Sequence, residues 1–421
     1  MGRTCTIVLL ALLLLGASSA RGDDRLVLTT TDYSSGSLAE LDALTSQANT
    51  NILNIHGDAT VRSYRGRVYV INRKGQDNIL VLGGDALATP LLQFSVGNDT
   101  NPQDIAFVSG TKAYVARLEA PGLLVVNPAT GDSLGSIDLS FAADADGFAE
   151  ASSLVIHERR LFVTCQRLNQ DAFFSPTEYS TVVVVDTDTD AVVDMDASAD
   201  GVQGIRLQGV NPTAQVQVGA RLFLACTGLY GAQDGGVEAV DLASGVTEGI
   251  VLGEDALEGD IGAITMASGT EGYAVVGDAS FVNSVRPFNV VTGLVGTALT
   301  GTSGGYLPAI GAWAGRLYVS DQGSFSDPAA AGVLVFSQAD GSLVAGPVST
   351  GLPPNAQTYV RDSDWADVDM DGDVDFTDFL GFARAYETSS GDSLWDGAFD
   401  SDSDGTVDFD DFLALVRYYG K

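Results

Sequence analysis

The sequence predicts an all-β body, a seven-bladed β-propeller, followed by a small all-α module at the C-terminus. Three observations carry that expectation. A short apolar strand built around one aromatic residue recurs six times, at spacings of 45 to 61 residues. The 421 residues include 49 glycines and are rich in Val, Leu and Thr, which suits many short strands joined by tight turns. One acidic twelve-residue pattern occurs twice near the C-terminus, each copy running into an apolar helical segment.

The recurring strand reads Gly66-Arg-Val-Tyr69-Val70, Thr111-Lys-Ala-Tyr114-Val115, Arg160-Leu-Phe162-Val163, Arg221-Leu-Phe223-Leu224, Glu271-Gly-Tyr273-Ala-Val275 and Arg316-Leu-Tyr318-Val319. This spacing is a propeller-blade period. Before the anchor comes an alternating segment, often opened by proline, as at Pro102, Pro212 and Pro308. After it comes an apolar run ending at a turn, as in residues 123–131, 182–190, 237–245 and 333–341. A fourth strand such as Ser136-Ile-Asp-Leu139 closes the unit, and four strands per period describe a blade. The chain ends supply a seventh: residues 26–31, 37–42 and 52–55 fit second, third and fourth strands, and 354–360 fits the missing first strand. Sharing one blade between the ends of the 26–360 body removes the last open sheet edges. Leu161-Phe-Val-Thr164 and Leu317-Tyr-Val-Ser320 give this body a resemblance to the YVTN-type propellers of secreted and surface-layer proteins, which implies a fold and not an activity.

In the C-terminal pattern, Asp367, Asp369, Asp371, Asp375 and Asp378 stand at loop positions 1, 3, 5, 9 and 12, with Gly372 at position 6. Asp400, Asp402, Asp404, Asp408 and Asp411 repeat the arrangement around Gly405, 33 residues later. A hard cation such as Ca2+ takes six to eight oxygens, and alternate side chains of a tight loop converge on it. The glycine permits the sharp turn, and Asp373 and Thr406 at position 7 would add backbone carbonyls. Two Ca2+ ions are therefore expected. Val374 and Val407 at position 8 are expected to hold the two loops together. The alternative, a solvated acidic tail, does not account for two in-register loops each leading into an apolar helix.

Residues 362–420 resemble a type I dockerin, a module of two duplicated EF-hand-like loop–helix calcium sites, and the resemblance includes Asp at position 12. It implies attachment to a cohesin-type or cell-surface protein partner. Positions 10 and 11, which dockerins use to read that partner, hold Phe376-Thr377 and Phe409-Asp410 and depart from the small hydroxylated residues usual there. Trp365 and Trp395, shortly before each loop, are expected in the module's own small core.

Residues 1–20 read as a secretory signal peptide: Arg3, an apolar run over 7–15, and small residues at Ser18 and Ala20. The expected protein is thus secreted or cell-surface, and no later stretch is apolar enough to span a membrane. The formal charge of −34 argues against nucleic acid or an anionic membrane as partner. Cys165 and Cys226 lie at matching places in neighbouring blades, too far apart for a disulfide unless near the axis, and are expected as buried thiols. His157 falls in an expected innermost strand, and no nucleophile elbow, zinc helix or phosphate loop appears.

The long second-to-third-strand loops mark one face of the propeller: 166–180 with Phe173, Phe174 and Tyr179, 227–236 with Tyr230, 278–284 with Phe281, and 321–331 with Phe325. Acidic links share that face, with Asp144, Asp146, Glu150, Glu254, Asp255, Glu258 and Asp260. Either these aromatics are exposed for a glycan or peptide, or the loops cover one another with them. The leading functional expectation is a non-catalytic exported protein, its propeller a binding platform and its calcium module a device for protein–protein attachment. The alternative is a dockerin-bearing glycoside hydrolase or polysaccharide lyase in polysaccharide catabolism, whose paired carboxylates need only spatial proximity.

Overall fold

The structure is a computed structural model that describes residues 24–84, 86–368, 374–389, 391–396, 399–401 and 405–420. The expected signal segment lies outside the described residues, as do five expected loop ligands, Asp369, Asp371, Asp373, Asp402 and Asp404.

Seven antiparallel sheets form the body. Blade 1 runs Ala59–Tyr64, Arg67–Asn72, Asn78–Gly83, Ala86–Ser95, and blade 2 runs Pro102–Ser109, Lys112–Arg117, Gly122–Val126, Ser133–Asp138. Blades 3 to 6 begin with Ala151–His157, Pro212–Val218, Asp260–Met266 and Ala309–Trp313. Their first strands neighbour one another around the ring and are the innermost. Blade 7 is composite, as expected: Pro354–Val360 is the first strand and pairs antiparallel with Arg25–Thr31, with Leu28 opposite Gln357. Gly36–Asp42 follows. The fourth strand differs from the expected 52–55, being two short pieces, Ala48–Asn49 and Asn54–Ile55. The left-handed Asn51 interrupts it, and Ile52 and Leu53, bonded through the backbone to Leu38, pack between blades 7 and 1.

The recurring aromatic explains why the blades stack. Tyr69, Tyr114, Phe162, Phe223, Tyr273 and Tyr318 all lie on second strands and are all buried. Each stands opposite a third-strand residue in register, for example Val81, Val125, Val184, Ala239, Pro287 and Val335. Tyr114 shows the packing: it belongs to a core shared by blades 2 and 3, with Leu154, Leu161 and Val183 from the next blade. Full burial of one such ring is worth about 1.5–3 kcal/mol, repeated around the ring. Opposite Tyr318 sits Gly311, where a Cβ would fall 2.0 Å from the Trp313 ring; its lack of a side chain lets Trp313 fold across the strand. Polar groups tie the innermost strands together. Asp104 accepts from Arg62 Nε at 2.7 Å and from Leu154 N at 2.8 Å, linking three blades.

The C-terminal module contains two helices, Phe376–Ala385 and Phe409–Tyr418, 33 residues apart. Their buried faces meet in a separate core of Ala366, Val374, Phe382, Ala385, Phe399, Val407 and Leu415, against which Trp365 and Trp395 pack as expected. The two halves exchange backbone hydrogen bonds reciprocally. Glu387 N, after the first helix, donates to Val407 O (2.8 Å), and Gly420 N, after the second, donates to Val374 O (2.7 Å). Equivalent residues make equivalent bonds across a pseudo-two-fold axis. Val374 and Val407 therefore do join the two halves, through the shared core and through these carbonyls.

Gly420 has φ +80° and its counterpart Glu387 has φ +61°, an exposed side chain in the left-handed region. That conformation disfavours residues with a Cβ by roughly 1–2 kcal/mol. Glu387→Gly is accordingly expected to stabilise the module by about 1 kcal/mol, measured as a higher denaturation midpoint of its helical signal. A lower midpoint would mean that the Glu387 side chain contributes to the fold.

The module sits against the turns joining first to second strands. Arg65 Nη1 lies 2.9 Å from Asp396 Oδ2, with the guanidinium 5.1 Å from the Phe399 ring centroid. Gly66 presses against Trp365, which meets Tyr418 edge-on. Asp362 N donates to Asp24 Oδ1 (3.2 Å), and Tyr418 Oη donates to Asp362 Oδ2 (2.6 Å). In a four-stranded blade those turns emerge opposite the long second-to-third-strand loops. The module therefore occupies one face of the ring and leaves the long-loop face open.

Candidate metal centre and loop face

Each helix of the module begins on an aspartate pair that the expected loop supplies. Asp375 is the N-cap of the first helix, its carboxylate accepting from Thr377 N (2.6 Å), and Asp378 reaches back to accept from Asp375 N (2.8 Å). The other oxygen of Asp378 accepts from Val368 N at 2.5 Å. Asp408 and Asp411 do the same in the second helix: Asp408 accepts from Asp410 N (2.9 Å), and Asp411 accepts from Asp408 N (2.8 Å) and Ser401 N (2.6 Å). These reciprocal capping boxes satisfy helix N–H groups that otherwise lack partners. They also bring the two ends of each loop together, because the position-12 carboxylate ties position 2 to position 9.

Of the expected ligands, Asp367, Asp378 and Asp411 are buried, and Asp400 Oδ2 accepts from Gly405 N at 2.9 Å. Thr406 lies in a two-residue strand paired with Thr388–Ser389, which orders the loop's exit. Arg361 donates to Asp367 Oδ2 (3.2 Å) and Asp364 Oδ1 (2.9 Å), so the first loop is tied to the last propeller strand. Among the described residues no three His, Cys, Asp or Glu side chains form a metal-binding group. The donor set is nevertheless all oxygen, and three of its carboxylates are buried together in one small module, Asp367 beside Arg361. These residues fit a hard divalent ion and suit neither a soft metal nor a nucleophile.

On the opposite face the aromatic loops leave their rings largely exposed, although Tyr230 and Phe281 of adjacent blades stack on each other. Phe173, Phe174, Tyr230, Phe281 and Phe325 are exposed, Phe325 fully. Tyr179 alone is sandwiched, with the guanidiniums of Arg167 and Arg206 at 4.1 and 4.3 Å from its ring centroid. The acidic links divide by role. Glu254 is buried and clamps backbone, accepting from Gly235 N (2.8 Å) and Ile261 N (2.7 Å). Asp260 accepts from Gly231 N. Glu150 is fully buried and accepts from Leu168 N (2.9 Å) and Gln170 Nε2 (3.0 Å). Burial, aided by nearby Asp146 and Asp144, pushes its carboxyl up to about 7.

Because the folded pKa of Glu150 exceeds the unfolded one, the folded state binds the extra proton between about pH 4.5 and 7. Its contribution is present below that window and is lost as pH rises through 7. Glu150→Gln is expected to flatten the decline in unfolding free energy between pH 5 and 7, read from denaturant titrations at each pH. An unchanged slope would place the titration elsewhere.

Cys165 and Cys226 are buried free thiols, as expected, and burial pushes the Cys165 thiol up to about 12. His157 lies in the innermost strand of blade 3, near Gln217, and His56 Nδ1 turns back onto its own loop, 3.0 Å from Asp58 O. The Arg65–Asp396 contact was not legible in the sequence, since 331 residues separate the partners.

No protein-family model matches the chain, and no curated protein matches it in sequence. Solved structures match the fold. The chain is similar to 6-phosphogluconolactonase-like proteins from Bacteroides uniformis (TM-score 0.57, 13% identity, 81% of this chain and 100% of that one) and Bacteroides fragilis (0.56, 13%, 82% and 100%). It is also similar to hydrazine synthase of Kuenenia stuttgartiensis (0.51, 14%, 72% and 94%). At these identities the likeness is one of fold alone, a β-propeller.

Proposed function

We propose that this is an exported calcium-binding adaptor: a rigid propeller platform joined to a dockerin-like module that attaches it to a protein partner of cohesin or cell-surface type. The observation that carries this reading is the pair of loop–helix units, equivalent at 33-residue spacing, each capped by its own loop aspartates and each bonded to the other's position-8 carbonyl. Duplicated calcium loops need this arrangement, and a solvated tail has no use for it. Two Ca2+ ions would be held by Asp367, Asp369, Asp371, Asp373, Asp375 and Asp378 and by Asp400, Asp402, Asp404, Thr406, Asp408 and Asp411. The ions would supply charge compensation and so couple metal binding to folding of the module.

The face offered to the partner is the solvent side of the two helices. Phe376 and Leu380 on the first helix, and Phe409, Leu413 and Val416 on the second, are exposed at helical spacing. Phe376, Phe379, Phe412 and Phe409 form a continuous run of rings across the pseudo-two-fold, with centroids 6.1, 6.4 and 5.9 Å apart. Positions 10 of both loops thus present phenyl rings where small hydroxylated residues are usual, so the partner's matching surface would be apolar. The test is capture of purified cohesin modules by the calcium-loaded protein, compared with Phe376→Ser/Phe409→Ser. Capture lost in the double variant with calcium binding retained supports the reading; equal capture by both removes these rings from it.

A further inference from the structure

The long-loop face has chemistry that goes beyond being open. Five consecutive blades, 3 to 7, each project at least one exposed ring: Phe173 and Phe174, Tyr230, Phe281, Phe325 and Tyr33, with exposures of 98% for Phe173, 72% for Phe281 and 67% for Tyr33. Exposed rings on five adjoining blades of one face mark an interaction surface rather than scattered surface apolarity. Four of the rings stand on backbone that disfavours them. Tyr33, Phe173, Phe174 and Phe281 have φ of +66°, +58°, +57° and +60°. A bulky side chain in the left-handed region is uncommon, and such strain concentrates at binding sites.

The loops hold that conformation through their own polar side chains. Asp32 Oδ1 accepts from Ser34 N and Ser35 N (2.9 and 2.7 Å), and Tyr33 N donates to Thr31 Oγ1 (2.7 Å). Asp278 Oδ1 accepts from Ser280 N and Val282 N (2.8 and 3.0 Å) around Phe281, and Asn169 Oδ1 accepts from Ala172 N ahead of Phe173. Tyr230 and Phe281, from adjacent blades, stack nearly parallel at 5.8 Å.

Charge then narrows the occupant. Exposed Asp32, Asp171, Asp234, Asp278 and Asp327 lie on the same five loops as the rings. The one basic residue on those loops is Arg167, which is buried, donates to Ala142 O and Ala143 O, and covers Tyr179. Aromatic faces flanked by carboxylates attract a cation through both the ring quadrupole and the charge, and the exposed Arg206 on this side is itself held on Tyr179. The Arg167–Tyr179–Arg206 sandwich is the same contact made within the face itself.

Resting on the platform reading above, we propose that this crescent docks a cationic polypeptide, whose Arg and Lys side chains lie on the exposed rings and pair with the adjoining aspartates. The test uses the intact protein in saturating Ca2+, which removes the empty module as a competing anion, at physiological salt. Fluorescein-labelled nona-arginine is titrated by anisotropy against wild type and against Phe173→Gly/Phe281→Gly/Phe325→Ser, which leaves the net charge unchanged. The glycines suit the left-handed positions, so the variant is expected to be at least as heat-stable as wild type while its affinity falls about 10-fold or more. Equal affinities would reduce the binding to general electrostatics and overturn the proposal. Absence of peptide binding would overturn it too. Cellohexaose, run in parallel, separates the two readings: sugar binding lost in the triple variant, without peptide binding, sinks the cationic partner but keeps the platform. If neither probe binds, the platform reading falls with it.

Discussion

Truncation after Thr350 is expected to abolish cooperative folding of the propeller, whereas truncation after Asp362 is expected to leave it folded. The twelve residues between the two cuts include Pro354–Val360, the innermost strand of blade 7. That strand pairs with Arg25–Thr31 and lies between the first strands of blades 6 and 1. Removing it exposes a full strand edge of Arg25–Thr31. It also strips Val360 and Ala356 from the core between blades 7 and 1, and Tyr359 from the core between blades 6 and 7. Trp313 loses its stacking partner, Tyr359 at 5.4 Å. Burial of Val360 alone is worth about 1.5–3 kcal/mol, half-buried Tyr359 adds to it, and the ladder hydrogen bonds add about 0.5–1.5 kcal/mol apiece. Together these approach the whole stability of a typical domain, about 5–15 kcal/mol. Urea unfolding followed by tryptophan fluorescence distinguishes the outcomes. A sharp transition in both truncated forms would mean that the ring does not close through this strand.

The second large effect is expected from Asp378→Ala/Asp411→Ala, which should unfold the module and weaken calcium binding about 100-fold or more, while the propeller melts as before. Each carboxylate accepts two backbone N–H groups inside the protein, from Val368 and Asp375 in one loop and Ser401 and Asp408 in the other. Hydrogen bonds to a charged group contribute about 1.5–3 kcal/mol each, and alanine leaves the donors buried and unpaired. A module of some 60 residues has little stability to spare. Asp→Asn at both positions keeps an acceptor oxygen and should fall between wild type and the alanine pair. Loss of far-ultraviolet helical signal, with rapid proteolysis beyond residue 361, is the readout. An alanine pair that keeps full helicity and affinity would mean that these aspartates neither cap nor bind.

The blade pattern was legible in the sequence because each second strand repeats one local requirement, an aromatic between small or aliphatic residues. The strand pairings place all six aromatics in the same setting. Closure by 354–360 was legible for a related reason: residues 26–42 supply strands with no first partner. The split fourth strand of blade 7 was not, since the left-handed conformation of Asn51 that interrupts it is not fixed by residue type. In the module, the spacing of Asp375 and Asp378 pointed to a loop feeding a helix but not to the capping box, in which the same carboxylates close the helix end. Exposure of Phe173, Phe281 and Phe325 was left open by sequence, because exposure depends on whether neighbouring loops lean together. The positive φ values of Phe173 and Phe281 have no signature in residue type. Docking through Arg65 and Asp396 joins residues from opposite ends of the chain, and periodicity carries no information about such a pair.

Calorimetric titration of Ca2+ into the intact, chelator-stripped protein tests the proposed paired calcium module most directly, with circular dichroism followed alongside. Two ions per chain are expected to bind, with a gain of helical signal over the titration and loss of both in Asp378→Ala/Asp411→Ala. Absence of binding heat, with helicity the same in calcium and in chelator, would contradict it and leave the module a metal-independent helical pair.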